Sequence, residues 1–407
     1  MTMRKTAAMV ALAAAACATS SFAAEGAAPR SVPHLDHVFL IMMENHGYSQ
    51  IVDNPHAVFI NNLAKAGNLA TNYFAVGHPS LTNYLEVVGG SNFGVRTDNA
   101  PDWHNASCAP NLATGAVSTD SPSSPKICPI AGTGTDAKTP AVDTTNETQG
   151  TPGENDLDGV ISIPAVSNIS GKTIGDQLAA AHLSWKSYQE SLPLAGADNV
   201  TYSDGFFTDT TFFPGFSLAS SDLVLLYAAK HNPFVYFKNV QEGGLHDIVP
   251  FDGPQGLYAD LRSGRVPSFS FIVPNQCNDQ HGRGNAGNTC AFDPQSDGSQ
   301  SGLNPALIYR GDVTLQQIVQ AIWASPAWKA GDNAIVVMWD ENDYSLAPNI
   351  NKVPVIVYTN YGVHGAQSST FYTHFSLLKT LEGGFGLHCL NHACDGDVEV
   401  MSDLFAR

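Results

Sequence analysis

The chain has 407 residues, with 37 Asp and Glu against 19 Lys and Arg, a formal net charge of −18 and 43% hydrophobic residues. That length accommodates one large domain or two smaller ones, and so acidic a surface argues against nucleic acid and against passive attraction to anionic membranes. An anionic substrate would need local positive charge from a metal ion or histidines; the plain alternative is that the acidity serves solubility.

Arg4 and Lys5 precede an apolar run from Thr6 to Ala18, and Ser21-Phe22-Ala23 supplies small residues for cleavage, so residues 1–23 read as a secretory signal peptide. Cys17 admits a lipoprotein alternative, although Ala14 fits a lipobox poorly. No later stretch approaches the roughly 18 uninterrupted apolar residues of a spanning helix. A single domain over 24–407 without a transmembrane anchor, periplasmic or secreted, is expected.

The first strand is expected over 35–43, where Val38 to Met43 runs into Glu44-Asn45. A helix follows over 55–66 with Pro55 in its first turn, then a strand near 68–75. A turn at Ser80 opens a helix to about Val88, closed by Gly89-Gly90. Residues 97–165 are rich in Thr, Ser, Pro, Gly, Asp and Asn and read as a long loop insertion or lid. Beyond it come a helix from Ile174 to His182, the segment Trp185 to Tyr188, a helix over 217–231 leading into a strand over 234–238, and a strand over 268–273. A helix over 313–329 leads into the strand Ala334 to Trp339, which ends in Asp340-Glu341. Val353 to Tyr358 forms another strand, and a helix over 371–382 ends at Gly383-Gly384. This alternation predicts an α/β fold, a mostly parallel central sheet flanked by helices.

Beyond Cys17 the cysteines are Cys108, Cys128, Cys277, Cys290, Cys389 and Cys394. An even number in an exported chain favours disulfides over zinc. Pairing of sequence neighbours (108–128, 277–290, 389–394) is the simplest of many connectivities.

Continuous apolar runs read as strands buried on both faces, and ligands of such sheets bind beyond the strands' carboxyl ends. Glu44-Asn45 and Asp340-Glu341 both fall there. Oxygen ligands from two strand ends suit a hard or borderline divalent cation; the alternative, helix capping or ion pairing, is weakened by the scarcity of Lys and Arg. Ser80 is either a nucleophile or the N-cap of its helix. The two roles are compatible, because a helix N-terminus also presents N–H groups to an anion. His78, His246, His281 and His374 are candidates to contact substrate or act as general acid. Asp340-Glu341-Asn342-Asp343 begins like an EF-hand loop but lacks the glycine and final glutamate in register. No Walker loop and no Gly-x-Ser-x-Gly elbow occur.

Five stretches occur in an order that resembles a known family: Met42-Met43-Glu44-Asn45-His46; Gly77-His78-Pro79-Ser80-Leu81-Thr82-Asn83-Tyr84; Val273-Pro274-Asn275 with Asn278-Asp279 and His281; Trp339-Asp340-Glu341; and Tyr372 to Leu378. The family is that of bacterial and fungal phosphoesterases, which includes acid phosphatases and phospholipases C and belongs to the alkaline-phosphatase-like superfamily. The resemblance implies an alkaline-phosphatase-like fold and one divalent metal ion, its identity open, on Glu44, Asn45, Asp340 and Glu341. It implies Ser80 as a nucleophile that forms a phosphoryl-enzyme, with His281 and His374 in catalysis and Asn45, His246 and Asp279 in substrate binding. Ser80 lacks the following Pro and Arg of sulfatases. The compact length favours a phosphomonoesterase of acid-phosphatase type over a phospholipase C or other diesterase, whose apolar mouth Phe206, Phe207, Phe212, Phe213 and Phe216 would wall. A non-catalytic binding protein on a degenerate hydrolase fold is the rival from another class. The expected partner is a small phosphorylated compound, with phospholipids and phosphoinositides among the alternatives, and no nucleic acid.

Overall fold

The computed structural model describes residues 25–95, 142–143, 169–192, 227–282, 305–342 and 350–407. The signal segment, Cys108, Cys128, Cys290, Asp343, the phenylalanines of 206–216, residues 217–226 and most of 97–165 lie outside the described residues.

In chain order the elements are strand β1 (His37–Met43), helices α1 (Tyr48–Ile51) and α2 (Val58–Ala66), and strands β2 (Asn68–Ala70), β3 (Tyr73–Phe74) and β4 (Gly77–His78). Helix α3 (Ser80–Gly89), strand β5 (Val142–Asp143), helix α4 (Ile174–Ala180) and strands β6 (Trp185–Gln189) and β7 (Ile248–Pro250) follow. Next come helix α5 (Leu257–Ser263), strand β8 (Phe269–Val273), helix α6 (Pro305–Ala324), and strands β9 (Asn333–Trp339), β10 (Val355–Thr359), β11 (Gln367–Ser368) and β12 (Tyr372–Thr373). Helix α7 (His374–Phe385) is the last regular helix.

Eight strands form one sheet in the order β11-β2-β10-β9-β1-β8-β6-β7. Every neighbouring pair is parallel except those of β10, which runs against both β9 and β2. The α/β prediction therefore holds. Val38 to Met43 and Ala334 to Trp339 are all fully buried, which explains their unbroken apolar character: each strand is covered on both faces, so no polar alternation appears. Helices α2, α5 and α6 pack together, and α3, α4 and α7 form a second mutually packed group. All ten residues of α3 are buried.

Several elements depart from the sequence reading. The expected strand near 68–75 divides: β2 joins the main sheet, whereas β3 pairs with β12. Pro55 lies in a turn ahead of α2, whose first N–H groups are satisfied instead by the Asp312 carboxylate, from Phe59 at 3.0 Å and Ile60 at 2.7 Å. The expected strand over 234–238 is a 3₁₀ turn, Pro233–Tyr236, because Pro233 has no N–H for a ladder and Val235 and Phe237 close local bonds to Asn232 and Phe234. The end of the expected 217–231 helix is another 3₁₀ turn, Ala229–His231. Helix α6 begins earlier than expected, at Pro305, and stops at Ala324. Gly383-Gly384 does not end α7; Gly386, at φ 69°, does. Gly384 serves close packing, since a Cβ there would lie 2.5 Å from Leu35 Cδ1.

Cys389 and Cys394 form the expected disulfide. Cys277 is also disulfide-bonded, to a cysteine outside the described residues. Among the described residues no helix is long and apolar enough to cross a membrane.

Candidate active site

The sheet register brings the two acidic dipeptides together. Met43 of β1 pairs with Trp339 of β9, so the next residues, Glu44 and Asp340, emerge side by side, and the Asp340 N–H donates to the Met43 carbonyl at 3.1 Å. Asn45 turns left-handed at φ 53° and donates its N–H to Asp340 Oδ1 at 2.9 Å. From the third strand, β8, the chain loops out and returns so that the Asp279 carbonyl accepts the Glu44 N–H at 2.8 Å. Three adjacent parallel strands thus deliver Glu44, Asp279, Asp340 and Glu341 to one place, all four buried.

Ser80 enters from α3. It is the first helical residue, with Pro79 in the N-cap position, so the N-cap alternative for Ser80 is not what the chain adopts. Its hydroxyl faces two carboxylates instead: Glu44 Oε2 at 3.2 Å and Glu341 Oε1 at 3.4 Å. One turn along α3, Asn83 and Tyr84 share this face by helical periodicity. Asn83 donates to Glu341 Oε2 at 3.2 Å and accepts the Val76 and Gly77 N–H groups, fixing the loop before Ser80. The Tyr84 hydroxyl donates to Glu44 Oε1 in a short bond, and its ring stacks on His231 at 5.2 Å.

The histidines divide by environment. His78 places Nδ1 2.8 Å from Glu341 Oε2 and Nε2 3.1 Å from Asn342 Oδ1. Burial alone would lower its pKa, but the Glu341 carboxylate outweighs this and raises it. His231 lies between Glu44 Oε1 at 3.1 Å and Asp279 Oδ2 at 3.6 Å; burial, with Lys230 and His281 nearby, holds it well below its usual range and therefore neutral. His281, partly exposed, donates its N–H to Asp279 Oδ1 at 2.7 Å, and its ring lies 5.8 Å from that of His231.

Two expected site residues stand elsewhere. His374 is completely buried, with Nε2 2.7 Å from the Asp340 carbonyl and Nδ1 3.0 Å from the Tyr73 hydroxyl. Both nitrogens are engaged, and burial pushes its pKa down to about 4, so the neutral ring braces the Asp340 backbone. His246 precedes β7, and its side chain is 76% exposed. Ile248 is level with Ser187, Phe271 and Leu40, four residues short of Glu44, or roughly 13 Å at the rise of a strand. His246 is therefore at the amino-terminal end of the sheet, away from the other candidates.

The donor set fits a cation. Burial is the first cause raising the pKa of Glu44 and Asp279 well above the carboxylate range and that of Asp340 to about 7; neighbouring carboxylates add to it. Among the described residues the partly exposed Lys230 is the cation that lowers the pKa of Glu44 and Asp279, and burial with carboxylate repulsion outweighs it, so the acid cluster is short of positive charge. Asn45 Oδ1, Asp279 Oδ2 and Asp340 Oδ2 are buried without a hydrogen-bond donor. Buried polar atoms are seldom left so, and a divalent ion would both satisfy them and close the charge deficit. Glu44, His231 and His281 offer ligand atoms within 4.8 Å of one another. His231, Asn83, Tyr84 and Lys230 are absent from the sequence-derived site. Asn83 and Tyr84 were legible as the positions three and four after Ser80, whereas Lys230-His231 fell at a junction misread as helix to strand.

A phosphatidylinositol-3-phosphatase of Mycobacterium tuberculosis is 25% identical over 364 residues, spanning 89% of this chain and 81% of that protein. An acid phosphatase of Aspergillus fumigatus is 23% identical over 359 residues, covering 86% of this chain; the match spans 55% of the fungal protein. Among solved structures, an alkaline phosphatase superfamily protein from Vibrio parahaemolyticus superposes with a TM-score of 0.43 at 14% identity, over 89% of this chain and 70% of that one. A model of the phosphoesterase family matches residues 50–292 and 297–388, nearly the whole span that carries these strand-end acids and the Ser80 helix, and the chain belongs to that family.

Proposed function

We propose that this chain is an exported, metal-dependent phosphomonoesterase of acid-phosphatase type that works through a phosphoserine on Ser80. The observation that carries the reading is the Ser80 hydroxyl set between the Glu44 and Glu341 carboxylates at the amino terminus of a buried helix. Ser80 Oγ attacks phosphorus, and its proton has a carboxylate acceptor on either side. The amino terminus of α3, with its positive dipole end, faces the charge that develops on the phosphoryl oxygens. His281, with Nδ1 2.9 Å from the Gly282 carbonyl, directs Nε2 to protonate the departing alkoxide. Water then cleaves phospho-Ser80, returning the hydroxyl and releasing phosphate. His78 Nδ1 orients the Glu341 carboxylate at 2.8 Å, and Lys230 offsets charge at Glu44 and Asp279. A divalent ion held by Glu44, Asn45, Asp340 and Glu341, with Asp279, His231 and His281 beside them, would supply Lewis-acid polarisation of a phosphoryl oxygen and lower the pKa of the nucleophile.

The named activities of the mycobacterial and fungal relatives support ester hydrolysis at phosphorus, and the first of them supports a phosphoinositide among the substrates to assay. The test is hydrolysis of a chromogenic phosphomonoester by the mature protein from pH 5 to 8, with and without chelator, beside the Ser80→Ala variant. Activity lost to both treatments, with the variant's circular dichroism unchanged, is the expected result. Turnover retained by Ser80→Ala would refute the phosphoserine route. Hydrolysis of a bis-ester alone would move the assignment to a diesterase.

A further inference from the structure

We infer that Gln280 is a positioning residue, locking the loop that carries Asp279 and His281 to the strand end that carries Asp340 and Glu341. Its backbone sits at φ 82°, a left-handed conformation that suits glycine and strains any residue with a Cβ. A glutamine at such a position implies that its side chain is needed there. That side chain is fully buried. Its Oε1 accepts the Trp339 indole N–H at 2.8 Å, and its Nε2 donates to the Ile308 carbonyl at 3.0 Å. Gly311 of α6 leaves room for it, since a Cβ there would lie 2.2 Å from Gln280 Cγ.

The partners give this contact its meaning. Trp339 is the last residue of β9, directly before Asp340-Glu341. On the other side of the same loop, the Asp279 carbonyl holds the Glu44 N–H at the end of β1. The Asp279-Gln280-His281 turn is thus fastened to β1 through its backbone and to β9 through one amide side chain. Strand pairing fixes β1 against β9, but a loop leaving β8 has no ladder to fix it. The Gln280 amide supplies that restraint, and it sets where Asp279 Oδ2 and the His281 ring stand relative to Asp340. A glutamine that merely filled core volume would not need a strained backbone flanked by two site residues.

The inference rests on the proposed metal site for its functional consequence, but the tie can be read without it. Gln280→Met keeps length and Cβ while removing both amide bonds; Trp339→Phe removes the indole donor together with part of a fully buried ring, and serves as the second variant. Amide hydrogen exchange of the peptide covering 279–281 reports the loop directly, because the His281 N–H is held by Asp279 Oδ1. The expected result in both variants is exchange at this peptide at least about tenfold faster, with the β6 peptide little changed, and Mn²⁺ affinity about tenfold weaker, the size seen when groups orienting metal ligands are removed. Exchange unchanged at 279–281, or accelerated equally across the sheet, would overturn the inference. Should wild type bind no Mn²⁺ and hydrolyse no phosphomonoester, the functional reading fails, while the exchange measurement still decides the role of Gln280.

Discussion

Tyr84→Phe isolates one group that favours the ionised form of Glu44. The phenol donates to Glu44 Oε1, and the ring stacked on His231 survives the substitution, so the change removes one hydrogen bond and little packing. Glu44 is already pushed up by burial and by Asp340 and Asp279, with the Tyr84 hydroxyl among the few groups pulling it down. A hydrogen bond to a charged group is worth about 1.5–3 kcal/mol. Its loss therefore raises the Glu44 pKa further. A higher pKa keeps the carboxyl protonated to higher pH, so the acid limb of the kcat/KM profile moves toward neutrality. The same free energy weakens binding of a divalent ion about tenfold or more at fixed pH, because ion and proton compete for the carboxylate. The assay is the pH profile for a chromogenic phosphomonoester together with Mn²⁺ titration calorimetry. An unchanged acid limb with unchanged affinity would show that Glu44 is neither a ligand nor required in ionised form.

His374 is held near pKa 4 by burial, below its unfolded value of about 6.5. The unfolded chain therefore takes up a proton that the native one refuses, and stability falls as pH drops from 6.5 toward 4, by about 3 kcal/mol in total. His374→Gln should flatten this part of the urea-derived stability difference from wild type; an unchanged slope would refute the assignment. Asp340 has the opposite sign: with its folded pKa near 7, the ion-free protein loses stability as pH rises from 4 through 7. Added divalent metal should therefore raise the melting temperature more at pH 7.5 than at pH 4.5, and an equal rise at both would count against a site built on Asp340. Gly384→Val drives a branched side chain into Leu35, at a predicted cost of about 1–3 kcal/mol in denaturant unfolding, with kcat per folded molecule retained.

The acidic dipeptides were legible because burial on both faces leaves an unbroken apolar run that stops where the strand stops, as at Met43 and Trp339. Ser80 was legible from its turn and the helix behind it. The histidines were not, because the identity of a histidine carries no information about which end of a sheet it reaches. His246 followed what was read as a strand over 234–238; once Pro233 turns that segment into a 3₁₀ coil, the next strand begins at Ile248 and His246 falls on the wrong side. His231 belongs to the site for the same reason, since the coil carries it back under α3, where it stacks on Tyr84. His374 opens α7 as expected, yet its role is set by the Asp340 carbonyl and the Tyr73 hydroxyl, contacts between elements far apart in the chain.

Helix α3 has no face turned to water. Ser80 consequently rides on an element that cannot drift, tilt or accept a bulkier neighbour without disturbing side chains on every flank. For anyone seeking to redirect this scaffold to a new ester, the helix is closed to redesign, and altered selectivity would have to be recruited from partly exposed positions around it, such as Lys230, His281 and Arg310.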